Sequence, residues 1–272
     1  MPELPEVETI RRSLRPKLIN QTIIGAELRV PKMLQPMTVD QLSPQITGKI
    51  IQEVDRRGKY LLLKLSDDLI LTIHLRMTGQ LTVEPREMPE ASAIYFKLFL
   101  NNGTELRFRD QRKFGKIMIF PTGKMPDSLL KLGPEPLLPE FTPAVFKKVI
   151  TGRKLAVKKA LLNQEIIAGI GNIYADEALF IAGIHPARTL ESLDDQEIDR
   201  LYRAIRQVLS EGIEHHGTTK RDYRDGDGNP GSYQNKLRVY GNKGTPCPIC
   251  KTPIAKMTFG GRGTHFCPMC QS

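Results

Sequence analysis

The chain lacks any long apolar run. Its longest apolar stretches, such as Leu61–Leu63 and Ile166–Ile170, are short. A helix that crosses a bilayer needs about 20 mostly apolar residues. The first residues, Met-Pro-Glu-Leu-Pro-Glu, also lack the basic residues and the apolar stretch of a secretory signal. We therefore expect a protein without transmembrane helices that stays in the cytoplasm.

Cysteine is absent from residues 1–246, and the four cysteines form two Cys-Pro-X-Cys pairs with 16 residues between them: Cys247, Cys250, Cys267 and Cys270. Four thiolates can enclose a tetrahedral Zn²⁺, and such a site is structural because it has no open coordination position. Disulfides are the alternative, but the expected cytoplasmic location and the cysteine-free remainder argue against them. The spacing predicts one structural Zn²⁺ per chain.

Asp and Glu are absent from residues 235–272, which contain six basic side chains: Lys236, Arg238, Lys243, Lys251, Lys256 and Arg262. The whole chain has a net charge of +10 and a pI near 9.5. This surplus suits a polyanion, with nucleic acid as the first candidate and a basic but inert surface as the alternative. Within the segment, glycines flank Arg262 and would let it approach a phosphate, although an ordinary β-turn has the same composition.

Hydrophobic periodicity divides the rest of the chain. Val7, Ile10, Leu14 and Leu18 follow a helical stripe, so a helix should begin near residue 5. Between residues 23 and 120 short β-rich runs alternate with turn signals, a pattern that predicts a mainly antiparallel β-sandwich. Helical periodicity returns in residues 146–162, 171–182 and 194–215, and residues 218–234 then form a polar, glycine-rich segment that we expect to be a mobile loop.

These patterns predict an α+β protein with four parts. Residues 1–125 should form the β-sandwich domain with its N-terminal helix, and the proline-rich residues 126–143 a linker. Residues 144–234 should form a helical DNA-binding domain that ends in the loop, and residues 235–272 a zinc finger.

Two internal motifs suit DNA on chemical grounds. In residues 170–177, Gly171 and Asn172 precede a helical run, where free amides can bind an anion or simply cap the helix. Residues 110–115 combine Arg112, Lys113 and Phe114 in a loop that could insert between bases or be a charged turn.

The order of motifs resembles the formamidopyrimidine-DNA glycosylase family along essentially the whole chain. The motifs are Pro2–Glu8, Arg57–Tyr60, His74–Met77, Arg112–Gly115, Gly169–Glu177 and Gly261–Cys270. The resemblance implies a base-excision repair enzyme that removes oxidised purines from duplex DNA and cleaves the strand by β,δ-elimination. It also implies a helix–two-turn–helix motif in the helical domain and a monomer.

The family roles imply a catalytic set at five positions. After removal of Met1, Pro2 resembles the nucleophile and Glu3 the acid that assists opening of the deoxyribose ring. Lys59 resembles the group that contacts phosphate and aids β-elimination. Arg262 resembles the arginine of δ-elimination and phosphate binding, and Glu6 a supporting carboxylate.

The DNA-binding positions implied by the resemblance lie in both halves of the chain. Met77, Arg112 and Phe114 resemble the residues that fill the gap left by a flipped nucleotide, with Arg112 facing the orphaned cytosine. His74 and Asn172 resemble phosphate-binding residues.

Two positions depart from the family pattern. Ser92–Tyr95 replaces a segment in which relatives often carry a phosphate-contacting histidine, so one DNA contact near Ala93 should be missing. Arg153 stands where a lysine is common and preserves the DNA-binding charge.

A proline nucleophile is chemically suitable because an α-amino group has a reference pKa near 7.7–8.0, far below that of lysine. Two alternatives remain. The sister endonuclease VIII branch acts on oxidised pyrimidines, but it usually begins Pro-Glu-Gly-Pro-Glu and typically lacks the Arg112/Phe114 pair. A non-catalytic zinc-ribbon protein would explain the charge and the cysteines but not the combination of Pro2, Glu3 and Lys59.

Overall fold

The computed structural model describes residues 1–34 and 36–272. The chain divides into two compact units. Unit 1 consists of Met1–Leu130 and His215–Ser232, and unit 2 of Lys131–Glu214 and Tyr233–Ser272.

Unit 1 begins with helix α1, Leu4–Leu18. Pro5 suits the first turn of the helix, and the Glu6 side chain accepts a hydrogen bond from the backbone N–H of Glu3 at 2.7 Å. The predicted stripe of Val7, Ile10, Leu14 and Leu18 is fully buried.

Two four-stranded antiparallel sheets complete the body of unit 1. One has the order β1-β6-β7-β5 and the other β2-β3-β4-β8. The strands are β1 Ile23–Leu28, β2 Ile51–Arg57, β3 Tyr60–Leu65, β4 Leu69–His74, β5 Gly79–Pro85, β6 Ile94–Leu100, β7 Thr104–Asp110 and β8 Lys116–Pro121. Side chains from both sheets, such as Leu63 and Leu106, belong to one buried apolar cluster. The predicted β-sandwich is therefore confirmed.

Two short helices of unit 1 lie outside the predicted pattern. Helix α2, Val39–Ile46, interrupts the region that we expected to be β-rich. A capping box between Thr38 and Gln41 starts it, and Leu42 and Ile46 are buried one turn apart. Helix α3, Asp127–Leu130, lies in the expected linker.

Residues 218–232 of the glycine-rich segment belong to unit 1 and residues 233 and 234 to unit 2, whereas the sequence had placed the whole segment with the helical domain. Its backbone is bound to α1, because Thr218 N–H donates to the Glu6 carboxylate at 2.7 Å and Gly226 N–H donates to Ser13 Oγ at 2.9 Å. A Cβ on Gly226 would lie 2.6 Å from Ser13 Oγ, so the close approach requires glycine.

Unit 2 is mainly helical, with α4 Pro143–Ile150, α5 Val157–Leu162, α6 Asn172–Ala182 and α7 Asp195–Glu214. The continuous periodicity of residues 146–162 is wrong as a single helix, because Gly152 has φ +74° and the chain turns before α5 begins. Residues of the expected linker are bound within this unit: Tyr202 donates to the Phe141 carbonyl at 2.8 Å and Arg206 to that of Pro136 at 2.6 Å.

A two-stranded hairpin near the C-terminus of unit 2 consists of β9, Ala255–Phe259, and β10, Arg262–Phe266. Gly260 and Gly261 form its turn with φ +55° and +72°, a conformation that favours glycine.

Across the described ranges 1–34 and 36–272, no helix is both long and apolar enough to cross a membrane.

Candidate active site, DNA-binding residues and metal centre

The residues that follow Met1 are buried, although residues near a chain terminus are usually exposed. Pro2 is buried, and Glu3 and Glu6 are 3% and 2% exposed, whereas Met1 is 44% exposed. One oxygen of Glu6 accepts the N–H of Glu3 and the other accepts the N–H of Thr218, each at 2.7 Å. Glu6 therefore connects the residue after Pro2 to the glycine-rich segment, while its supporting role in catalysis stays a prediction.

Lys59 lies in the tight turn between β2 and β3 and is 5% exposed. The turn requires Gly58, whose φ is +56°. Arg56 donates from Nη1 to the Gly58 carbonyl at 3.1 Å and from Nε to the Glu8 carboxylate at 3.3 Å. The turn that carries Lys59 is thereby tied to α1.

Glu8 is a carboxylate that the sequence reasoning missed. Burial opposes its ionisation, yet hydrogen bonds from Arg11 and Arg12 and the nearby charge of Arg56 lower the pKa of Glu8 to about 2. Arg11 Nη2 and Arg12 Nε each lie 2.8 Å from Glu8. Arg11 and Arg12 follow Glu8 by three and four positions, and residues at these spacings are neighbours on a helix. The sequence could therefore have predicted this cluster.

His74 ends β4 and is 7% exposed. Burial, with the nearby cations Arg76 and Lys59, lowers the pKa of His74 to about 3, so the ring is neutral at physiological pH. Its Nδ1 accepts the N–H of Arg76 at 3.0 Å, which leaves the proton on Nε2. Such a ring donates from Nε2, as a phosphate contact requires. Because the charge of Lys59 contributes to the lowered pKa of His74, the two side chains lie near each other.

The loop after β7 carries Arg112 and Phe114 around a buried carboxylate. Asp110 accepts the backbone N–H groups of Arg112, Phe114 and Gly115 at 3.2, 2.8 and 2.7 Å. The Arg112 guanidinium lies 4.8 Å from the centroid of the Phe114 ring, which is 45% exposed. Asp110, fully buried, thus shapes residues 110–115, the loop that is predicted to insert between bases and is hereafter named the probe loop. Its position at a strand end did not reveal this role.

The other predicted DNA-binding residues differ in exposure. Met77 is 38% exposed. Arg153 is exposed and donates from Nε to the Val149 carbonyl at 2.7 Å. Asn172 is the first residue of α6, and its Nδ2 donates to the carbonyl of Gly263 at 2.9 Å. The side chain is therefore engaged with the hairpin, next to Arg262, while the phosphate-binding role stays a prediction.

Arg262 opens β10 and is exposed. Within the part of the chain that the structure describes, its guanidinium makes no hydrogen bond or ion pair. The residues after it are anchored: His265 N–H donates to the buried Asp176 carboxylate at 2.8 Å, and the fully buried Lys158 donates to Thr264 Oγ1 at 2.7 Å. An exposed cation thus projects from a firmly held strand.

The four cysteines converge, with their Sγ atoms all within 4.8 Å of one another. Sγ atoms of Cys247 and Cys270 are 3.8 Å apart and those of Cys250 and Cys267 are 3.4 Å apart. These separations are too long for disulfide bonds. A tetrahedron of Zn–S bonds near 2.3 Å sets sulfurs about 3.8 Å apart, so the geometry fits zinc. The four thiolates form a structural zinc site.

This combination of a β-sandwich unit that begins with a buried Pro-Glu pair and a helical unit that ends in a zinc finger defines a class of DNA-repair glycosylase. Family models match three regions: the formamidopyrimidine-DNA glycosylase N-terminal domain over residues 1–117, its H2TH domain over 132–224, and the zinc finger found in FPG and IleRS over 244–272. The chain belongs to the formamidopyrimidine-DNA glycosylase family, whose members combine glycosylase and AP lyase activities.

Individual relatives agree with this assignment over most or all of their length. The formamidopyrimidine-DNA glycosylase of Symbiobacterium thermophilum is 48% identical over 100% of this chain and 89% of its own. A Lactococcus lactis Fpg variant in complex with Fapy-dG DNA is 37% identical, with a TM-score of 0.93 and full coverage of both chains. The Lactococcus lactis Fpg bound to DNA with an abasic site is 38% identical, with a TM-score of 0.92 and 99% of each chain covered.

Proposed function

We propose that the protein removes oxidised purines, 8-oxoguanine and formamidopyrimidines, from duplex DNA and then cleaves the strand, with Pro2 as the nucleophile. The observation that carries this proposal is the burial of Pro2 and Glu3 at the head of α1, where Glu6 holds the backbone. The Lactococcus lactis relatives bind DNA that contains Fapy-dG or an abasic site, and this supports damaged duplex DNA as the partner.

Removal of Met1 converts the Pro2 nitrogen from an amide to a secondary amine with an available lone pair. Attack on C1′ forms an N–C bond while the bond to the damaged base breaks, and Glu3 gives a proton to the ring oxygen as the sugar opens. The resulting iminium acidifies the C2′ proton. Loss of this proton breaks the C3′–O bond and expels the 3′ phosphate in β-elimination. Loss of the C4′ proton then breaks the C5′–O bond and expels the 5′ phosphate in δ-elimination.

The cationic residues have separate roles in this scheme. Lys59 contacts phosphate and aids β-elimination, and neutral His74 donates from Nε2 to a backbone phosphate. Arg262 acts in δ-elimination and phosphate binding, which its exposure and free guanidinium within the described chain support. Asn172 and Arg153 add phosphate contacts.

Specificity for purines rests on the probe loop. Met77, Arg112 and Phe114 fill the gap left by the extruded nucleotide, whose unstacking costs a few kcal/mol, and Arg112 faces the orphaned cytosine. The exposure of Phe114 and Met77 supports this role, since large apolar side chains at the surface are available for insertion.

The protein works as a monomer on the bacterial nucleoid in the cytoplasm.

Reductive trapping tests the nucleophile. Borohydride reduces an iminium to a stable amine, so mature protein should form a covalent adduct with an 8-oxoguanine duplex on a denaturing gel. Pro2→Gly keeps a primary amine and should trap more slowly, whereas an uncleavable N-terminal extension should abolish trapping. Full trapping by the extended protein would move the nucleophile elsewhere, with Lys59 as the first candidate, and would overturn the proposal.

A further inference from the structure

A fully buried ion pair lies inside unit 2. Lys158 of α5 and Asp176 of α6 are both 0% exposed, and the distance from Nζ to Oδ1 is 2.5 Å. Lysine and aspartate are almost never fully buried unless paired. The pair lies outside the set of residues to which the proposed chemistry assigns a role.

Both members of the pair reach the hairpin strand β10 just beyond Arg262. Lys158 Nζ donates to Thr264 Oγ1 at 2.7 Å and lies 3.4 Å from the Gly263 carbonyl oxygen. Asp176 Oδ2 accepts the His265 N–H at 2.8 Å. Three successive residues after Arg262 are therefore held from the helices.

The other side of Arg262 is held by packing and by strand pairing. Gly260 and Gly261 precede it, both with positive φ, and a Cβ on Gly260 would lie 3.3 Å from Lys159 Cε, whereas one on Gly261 would meet nothing within 4 Å. Arg262 itself pairs with β9. The directed side-chain hydrogen bonds therefore reach the chain on the strand side of Arg262, and the buried pair supplies the charged groups among them.

Stability is a weak reason for such a pair. Removing two charges from water is costly, and well-packed apolar residues in place of a buried ion pair often stabilise a protein as well or better. The pair also fixes the position of the β10 backbone, since its hydrogen bonds to Thr264 and His265 have defined geometry.

We propose that Lys158 and Asp176 are positioning residues that aim Arg262 at the DNA phosphate during δ-elimination. This inference rests on the proposed function of Arg262. Misplacement of a reacting group by about 1 Å can cost up to about 100-fold in rate, so loss of the pair should be visible in the elimination step.

The test uses the zinc-loaded full chain and a duplex with one abasic site. Single-turnover assays resolve the β- and δ-elimination products. Arg262→Ala should shift the products from δ to β. The neutral double variant Lys158→Met/Asp176→Asn keeps an acceptor for the His265 N–H but loses the charged pair, and it should slow δ-elimination by roughly 10-fold while β-elimination changes less than about 3-fold. In the Arg262→Ala background the double variant should add no further loss.

Lys147→Met is the matched control, because this exposed lysine of α4 is paired with the exposed Asp195 at 2.7 Å. Its product ratio should stay that of the parent. Zinc content and Tm are measured for every variant. If the double variant loses zinc, the pair is a folding element and the positioning role is wrong.

Two further outcomes separate this inference from the proposed function. An unchanged product ratio in a zinc-loaded double variant, with Arg262→Ala shifted, would overturn the positioning role and leave the function intact. An unchanged ratio in Arg262→Ala would remove the proposed role of Arg262 and the inference with it.

Discussion

The two units hold their functional residues by different physical means. In unit 1 a large apolar cluster supports α1 and both sheets, and the polar contacts of Glu6 and Glu8 add local placement. Around the zinc site of unit 2 the buried apolar cluster is small: Phe180, Val239, Cys247, Ile254 and Cys267. The hairpin that carries Arg262 therefore depends on the metal and on the polar bonds of Lys158 and Asp176. We therefore expect loss of the metal to affect the fold of the hairpin more than loss of one polar contact affects the sandwich.

Removal of zinc should have the largest effect, because it acts on the unit with the smaller buried cluster around its functional residue. Structural zinc in small fingers contributes roughly 10–16 kcal/mol of binding free energy, which is also folding free energy. Cys250→Ser should therefore lose the metal, unfold the hairpin and abolish high-affinity DNA binding, while the sandwich of unit 1 still unfolds cooperatively. Metal analysis, calorimetry and a duplex-binding assay measure the three effects. Full DNA affinity in a zinc-free variant would contradict the comparison.

Glu8 offers a smaller perturbation confined to unit 1. Its pKa is lowered from 4.5 to about 2, so its ionised form stabilises the fold above pH 4.5, and this contribution is lost as the pH falls towards 2. The pKa difference corresponds to about 3 kcal/mol at neutral pH as an upper figure. Glu8→Gln should lower the free energy of unfolding at pH 7 and flatten its dependence between pH 4.5 and 2.

Chemical denaturation across this pH range measures the effect. Glu140→Gln, a change at an exposed residue of unit 2, is the control and should leave the profile as it is. A Glu8→Gln profile that parallels the parent would show that the arginine cluster contributes nothing to acid stability.

A change in the probe loop of unit 1 should have the smallest effect of the three. Asp110→Asn keeps the shape of the side chain but replaces one of its two acceptor oxygens by an NH2 group. Either the Arg112 N–H or the N–H groups of Phe114 and Gly115 then lose their acceptor. We expect it to reproduce part of the effect of Arg112→Ala, a loss of roughly 10-fold in preference for cytosine opposite the lesion, about the value of one bidentate base contact. Excision of 8-oxoguanine opposite each base gives the preference, and cleavage at an abasic site is the reference. Equal losses on both substrates would make Arg112 a backbone contact.

Local patterns in the sequence predicted much of this molecule. The stripe of α1, the hairpins and the paired cysteines are all encoded within short windows, and the structure confirms them. Helix α2 was missed although its capping box at Thr38 was readable, because β-rich runs surround it. The break after Ile150 was missed because Gly152 interrupts a pattern that stays apolar on both sides.

Longer-range features could not be predicted in the same way. Glu8 and Arg56 are 48 residues apart, and Lys158 and Thr264 are 106 residues apart. Nothing in a single sequence shows that such residues meet. The attachment of residues 215–232 to unit 1 was hidden for the same reason, since Thr218 and Glu6 are 212 residues apart.

The attachment of this segment to unit 1 limits which of its glycines can be replaced. Thr218–Gln234 has the composition of a flexible linker, the place where glycine replacement is ordinarily used to raise thermostability. Within it, a Cβ on Gly226 would lie 2.6 Å from Ser13 Oγ and a Cβ on Gly231 would collide with the carbonyl of Gly217, whereas Gly228 has open space around it but a φ of +83°. Each of these three glycines therefore resists replacement, two because a side chain has no room and the third because its backbone conformation favours glycine.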